Sequence, residues 1–320
     1  MRLAEADVGW LADRLRFPGI GVDYGAARAR LISDVPGLTD MIRTVYGAFP
    51  VDEPTGMFDV TTELRRMRGL RSVVRQQVEI ICDGVRELEP FPLDTPLPLL
   101  EWGTNYALAT RLFCYLLLHA GVVERGGRAI VMPAMPGSGK STLTAALTLR
   151  GFRLLSDEFG VVRLGDGVLL PMLRPLALKN ESIDVIRRFA PDAVIGPSFP
   201  KTHKGTVAHL APLPAHVDAR YVPGRAGFVV FPKFERAAGV EFEPLSKARA
   251  FARLAVNSFN YQALGPEGFN ALGDLVQQSS CWQLRYGDLE GAIVALTRLT
   301  DGTPGDAATP ADTRLNVGTG

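Results

Sequence analysis

Lys140 stands between a glycine and two hydroxyls, in the run Gly137-Ser138-Gly139-Lys140-Ser141-Thr142. Glycines let backbone N–H groups turn inward and ring an anion. A lysine at this position reaches β- and γ-phosphates, and the next hydroxyl is offered to Mg²⁺. Ahead of the run, Ala129 to Met132 is an apolar strand candidate, and after it Leu143 to Leu149 continues as an apolar helix. Strand, glycine loop and helix together are the context of a phosphate-binding loop, or Walker A motif, and the helix N-terminus adds its dipole. The first glycine of the G-x-x-x-x-G-K-[S/T] pattern is Ala134 here. The loop from Pro136 through Gly137, Ser138, Gly139, Lys140, Ser141 and Thr142 is the expected nucleotide-binding segment.

Two acids follow. Asp157 and Glu158 lie 16 and 17 residues beyond Ser141 (157−141, 158−141), after the apolar run Phe152 to Leu155. The end of the strand after a phosphate loop lies beside the phosphates in nucleotide-binding sheets. A carboxylate there holds Mg²⁺ or its waters, and a second one orients or deprotonates an acceptor hydroxyl. The alternative is a solvated acidic turn. His119, 22 residues before Ser141 (141−119), ends another apolar run. Its spacing alone suits a structural histidine as well as a catalytic one.

The elements needed to position these groups are legible in outline. Residues 1–16 are patterned as an amphipathic helix on Leu3, Val8, Leu11 and Leu15, and 21–33 as extended chain. Leu38 to Phe49 is a helix; Phe58 to Arg66 and Arg71 to Cys82 are strands, with a hairpin signal at Asp83-Gly84 before a strand over Val85 to Glu89. The proline-rich Pro90 to Pro98 is either a domain boundary or an extended crossing segment. Leu99 to Phe113 is a helix, and Tyr115 to Val123 and Arg128 to Met132 are strands. Beyond the acids come a hairpin around Gly165-Asp166-Gly167, the segment Leu176 to Asn180 and a helix candidate from Ser182 to Phe189. The basic stretch Phe199 to Val207 has the composition of a mobile loop. A strand at Ala226 to Phe231, helices at Ser246 to Phe259 and Gly268 to Gln278, a strand at Cys281 to Tyr286 and a helix at Asp288 to Thr300 complete the pattern. From Asp301 the Gly, Thr, Asp, Ala and Pro composition predicts a disordered tail. The expected division is an α+β domain over 1–95, a catalytic domain over 96–300 and the tail over 301–320.

The chain has 320 residues, 47% apolar and 22% charged, with a net charge of +1. A globular core is affordable, and there is no global electrostatic attraction for nucleic acid or anionic membrane. Cys82, Cys114 and Cys281 form no C-x-x-C pair, and the expectation is reduced core thiols in a cytoplasmic protein. The N-terminus lacks the apolar stretch of a signal peptide, and the longest apolar run, Leu112 to Val123, is too short to span a bilayer.

His119, the segment Gly137-Ser138-Gly139-Lys140-Ser141 and Leu154-Leu155-Ser156-Asp157-Glu158, in this order, resemble the C-terminal catalytic domain of HPr kinase/phosphorylase. Over most of its length the chain is similar to the HPr kinase-related kinase A group, in LLSDE at 154–158, LKNESIDVI at 178–186, KGTVAHLAP at 204–212, VVFPKF at 229–234 and NSFNY at 257–261. The resemblance implies an α/β fold, a P-loop kinase core with mixed sheet as in HPr kinase and phosphoenolpyruvate carboxykinase, preceded by the small α+β domain. It implies ATP and Mg²⁺ as cofactors, Asp157 as base toward a protein serine, His119 near Asp157, and Ser141, Asp157 and Glu158 around the metal. A peptide or protein acceptor, with a small peptide-carrier protein nearby, and a homo-oligomer are implied in the same way. The Glu-Ile-Arg-Gly signature of the bifunctional enzymes is missing; Ala177-Leu178-Lys179-Asn180 stands nearest to it, keeping a cation without an acid. Lys179 either touches the transferred phosphate or sits at a strand edge. Lys201, His203 and Lys204 either clamp nucleotide or acceptor on closure or belong to a solvated loop.

The function expected from residues and resemblance together is ATP-dependent transfer of the γ-phosphate to a Ser/Thr hydroxyl of a peptide or protein. The alternatives are a small-molecule kinase on the same scaffold and a nucleotide-gated ATPase or binding module.

Overall fold

The structure, a computed structural model, describes residues 1–51, 56–68, 76–86, 88–133 and 137–302. The chain opens with a 3₁₀ turn, Leu3–Glu5, and helix α1, Val8–Arg16. The single helix expected over 1–16 is divided because Asp7 caps α1, its side chain accepting from Trp10 N at 2.8 Å. Strands β1 (Ile20–Asp23) and β2 (Arg28–Ser33) precede helix α2 (Leu38–Val45), and β3 (Val60–Arg66) and β4 (Gln77–Cys82) follow it. The Asp83-Gly84 turn closes as expected, but only Val85 bridges back to Cys82. The strand that pairs with β4 is the later β5, Phe91–Pro92. These strands form a sheet in the order β1-β2-β3-β4-β5. Helix α3, Pro96–Arg111, begins inside the expected connector, with proline in its first turn, where the missing N–H costs nothing. It packs on β3 and β4, so the expected boundary at residue 95 falls just before a helix that belongs to the first sheet.

The second sheet is built on β6 (Tyr115–Arg125) and β7 (Arg128–Pro133). Helix α4 (Lys140–Thr148) follows, then β8 (Arg153–Ser156), β9 (Phe159–Arg163), β10 (Leu169–Leu170), β11 (Leu176–Lys179) and helix α5 (Glu181–Phe189). Strands β12 (Phe199–Thr202) and β13 (Gly205–Leu210), the short helix α6 (Pro214–Asp218) and β14 (Arg225–Phe234) come next. The chain continues through β15 (Glu241–Pro244), α7 (Lys247–Val256), α8 (Tyr261–Leu264), α9 (Pro266–Gln278), β16 (Ser280–Tyr286) and α10 (Leu289–Asp301). The sheet order is β10-β9-β6-β7-β14-β16-β15, with β8 also paired to β6. β7, β14 and β16 run parallel, and β6 is antiparallel to β7, β8 and β9. The fold is thus α/β with mixed sheets.

The central strands read as unbroken apolar runs because both faces are covered. Leu116, Leu118, Ala120 and Val122 of β6 pack with Leu254 of α7 and Leu272 and Leu275 of α9. Leu117 and Val123, on the opposite face, share a core with Leu143 and Leu147 of α4 and Leu296 of α10. That core continues through Leu97, Leu100 and Leu108 of α3 into the first sheet.

Phe199 to Val207, expected as a loop, is the hairpin β12–β13 beside β11. Buried Phe199 and Val207 pair across it, and Gly205, at φ +83°, supplies the turn that other residues resist. Asp301, expected as the first residue of the tail, instead ends α10 and binds Arg125 at 3.1 Å; residues 303–320 lie outside the described residues. All three cysteines are free; Cys82 and Cys281 are buried as expected, but Cys114 is exposed rather than in the core. Among the described residues no helix is long and apolar enough to cross a membrane.

Candidate functional site

The glycine loop leaves β7 at the C-terminal end of three parallel strands and enters α4. Gly139 sits at φ +85° as the residue capping α4, and a Cβ there would lie 2.6 Å from Tyr286 Oη and 3.0 Å from Phe234 Cβ. The position therefore requires glycine on two counts. The ends of the neighbouring strands hold the loop: Phe234 N donates to Ser138 O (3.0 Å) and Tyr286 Oη to Gly139 O (3.4 Å). Ser138 Oγ is buried without a partner. Ser141 and Thr142 are half-buried in the first turn of α4. Pro136 and Ala134 lie outside the described residues.

Asp157 and Glu158 occupy a break in a strand. β8 pairs with Val122 to Glu124 of β6, and β9 pairs with Tyr115 to His119 of the same strand. The two acids fall between, opposite Ala120 and Gly121. Ser156 Oγ accepts from Phe159 N (3.1 Å) and closes the break. Freed from the ladder, the Asp157 carbonyl accepts a hydrogen bond from Lys140 Nζ. The same ammonium lies 3.2 Å from Asp157 Oδ1, with side-chain exposures of 8% and 3% for the two residues. Asp157 Oδ2 is buried with no partner.

His119 is brought to these acids, but its partner is Glu158, not Asp157 as the resemblance implies. His119 Nε2 stands 3.3 Å from Glu158 Oε2, with exposures of 30% and 28%. The reason is the strand break: one acid turns in toward α4 and Lys140, and the other turns out beside His119. Burial works against the Glu158 charge, but Lys140, then the His119 hydrogen bond and charge, then Lys179 outweigh it and hold the carboxyl well below the usual range. Lys179, on β11, is half-buried and donates its backbone N–H to Ser182 Oγ (2.7 Å). Lys204 lies at the tip of the β12–β13 hairpin, 5.3 Å over the Trp102 ring, and the His203 ring stands 4.4 Å from the same indole. Partial desolvation and then the Lys179 charge push the Lys204 ammonium down, with Glu158 opposing.

A cavity of about 550 Å³ opens on this group and is bordered by His119, Asp157, Glu158, Lys179, His203 and Lys204. Trp102, Glu101, Arg174 and His209 also border it, and sequence reasoning did not single them out. Glu101 carried a faint signal, as an acid directly after the apolar run Pro96 to Leu100. Arg174 and His209 carried none, because their partners are remote in sequence.

Phosphate fits the loop: Lys140, a glycine held at positive φ and an unpartnered buried hydroxyl converge at a helix N-terminus. Magnesium fits beside it, with the unpartnered Asp157 Oδ2 and the Ser141 hydroxyl as oxygen donors of the hard type it takes. Among the described residues no group of three or more His, Cys, Asp and Glu is gathered around a metal position; Mg²⁺ bound through nucleotide phosphates needs one or two carboxylates. No protein-family model matches this chain, and no curated protein matches it. The functional reading therefore rests on the geometry of this site and on the motif resemblance.

Proposed function

We propose that the chain is an ATP-dependent phosphotransferase with a P-loop kinase core of the HPr kinase-like type, acting on an alcohol hydroxyl. The observation that carries this reading is the Lys140–Asp157 pair at the head of α4, with Glu158 and His119 beside it on the cavity. The ammonium is engaged by Asp157. Phosphates compete for it, and the exchange frees the Asp157 carboxyl next to the phosphate position. Asp157 and Ser141 would hold Mg²⁺ there, and the ion would supply neutralisation of phosphate charge. Glu158 faces the acceptor, ionised and oriented by His119.

In the step itself the acceptor oxygen bonds to the γ-phosphorus. The bond from that phosphorus to the β–γ bridging oxygen breaks, ADP leaves with the electron pair, and the hydroxyl proton passes to Glu158. Exposure favours Glu158 over Asp157 for this role: both border the cavity, but Asp157 is the more buried of the two and is engaged in its pair with Lys140. Such transfer needs positioning and charge stabilisation more than a strong base, which suits a carboxyl with a depressed pKa. Lys179 and Lys204 serve the transferred phosphoryl group. The resemblance implies a peptide or protein acceptor, a carrier-protein partner and a cytoplasmic setting; a small-molecule alcohol is the other acceptor that the same reaction admits.

The test is the fate of γ-labelled ATP with Mg²⁺ in lysate from the source cells. Label on a polypeptide or a metabolite, abolished by Lys140→Ala, is expected. Label released only as free phosphate would favour the nucleotide-gated ATPase instead.

A further inference from the structure

The cavity beside Glu158 has a chemistry of its own. None of the described residues of the glycine loop borders it; it extends from the acids toward the first sheet. One wall is Trp102, Tyr106 and Ala109 of α3 with Phe91 of β5, and the facing wall is Phe159, Met172 and Phe259. The β12–β13 tip lies across Trp102, so the indole is held in place by His203 and Lys204. The inner end is polar but electrically balanced. Buried Arg174 Nη2 binds Glu101 Oε2 at 2.6 Å, Arg174 also donates to Asn105 Oδ1, and Tyr46 donates to Glu101. Two nitrogens there are buried without a partner, Arg174 Nε and His209 Nδ1. His209 is almost wholly buried, and that burial pushes its pKa down.

A guanidinium already neutralised by Glu101 does not recruit an anion. Arg174, His209 and Asn105 line this end with polar side chains, which favours a ligand that brings a hydrogen-bonding group to it. Aromatic walls favour an apolar body, and the volume is that of a small-molecule pocket rather than a groove for a chain.

We propose that this cavity is the acceptor site and that the acceptor is a compact alcohol. It has an aromatic or branched apolar body, a hydroxyl presented to Glu158, and a neutral hydrogen-bonding group directed to Arg174 and His209. The proposal rests on the kinase reading for its reaction, but its binding is independent of nucleotide. It assigns the first unit of the fold a direct part in choosing the substrate, through Trp102 and Tyr106.

The probes are tyrosol, phenylethanol, glycerol and a serine-containing hexapeptide, with binding read by saturation-transfer NMR on the full chain. Tyrosol is expected to bind wild type without nucleotide present, phenylethanol several-fold more weakly, and glycerol not at all. Ala109→Trp, which fills the cavity, is expected to weaken tyrosol at least ten-fold while leaving MgADP affinity unchanged. If Ala109→Trp fails to fold by circular dichroism, Trp102→Ala, which removes one wall, carries the same expectation. Equal tyrosol binding in the folded variant would overturn the proposal, and so would binding of the hexapeptide with none of tyrosol. Tyrosol binding without any MgATP binding by wild type would leave the cavity assignment standing and overturn the kinase reading.

Discussion

Lys140 and Asp157 form a buried ion pair. Burying two charges is costly, and the attraction between them offsets that cost only while both are present. Lys140→Ala alone leaves an uncompensated carboxylate and is expected to lower stability by about 3–5 kcal/mol in urea unfolding. The double change Lys140→Met with Asp157→Leu is expected to recover most of it, because the coupling between contacting sites is removed together with both charges. A loss in the double variant equal to the sum of the single losses would show that the pair is not coupled. His216 provides a pH signature away from the site. Burial, and then the Arg153 charge, lower its pKa from 6.5 to about 4 in the fold. Between those values the unfolded chain takes up the proton and the folded chain does not. Stability contributed here is therefore present above pH 6.5 and lost as pH falls toward 4. His216→Gln should flatten the fall in melting temperature across that window; an unchanged slope would remove His216 as its source.

The strand β6 and the helix α4 form the frame on which the site depends. Gly121 lies opposite the break that carries the acids, and a Cβ on it would stand 2.3 Å from Thr144 Oγ1. The helix must approach the strand this closely for Lys140, at its start, to reach the Asp157 carbonyl. Gly121→Ala is expected to destabilise by about 1–3 kcal/mol through overpacking and to weaken nucleotide binding. Adding Thr144→Ala should restore part of both, measured by thermal unfolding and MgADP titration. Restored stability without restored binding would separate the frame from the site. The β12–β13 hairpin shows how composition misleads for an element of this kind. Lys201, His203 and Lys204 make the stretch polar, yet Phe199 and Val207 are buried across the pair. Two apolar anchors and a glycine at positive φ outweigh a basic composition.

The two sheets act as one body. Met172 bridges Gly25, Ala26 N donates to Pro171 O (2.8 Å), and Leu173 N donates to Tyr24 O (2.9 Å). One apolar core runs from Leu31 and Leu64 of the first sheet through Leu100 to Leu143 of α4. A chain beginning at residue 96 would carry α3 with its sheet-facing side exposed, and is expected to aggregate or to lose cooperative unfolding. The full chain is expected to give a single calorimetric transition; two separated transitions would mean that the units fold independently. From the sequence alone the glycine loop, its flanking strand and helix, and the acids after β8 were legible, because each is a local pattern whose physics needs only neighbours in the chain: glycine for positive φ, apolar periodicity for a helix, apolar continuity for a strand covered on both faces. The choice of Glu158 rather than Asp157 as partner of His119, the neutral Glu101–Arg174 floor, the seat of Trp102 beneath the hairpin and the assignment of α3 to the first sheet were decided by tertiary structure. Each depends on which surfaces meet when residues scores of positions apart are packed together, and the energies that settle it, burial and pairing of charge, exist only in the packed state.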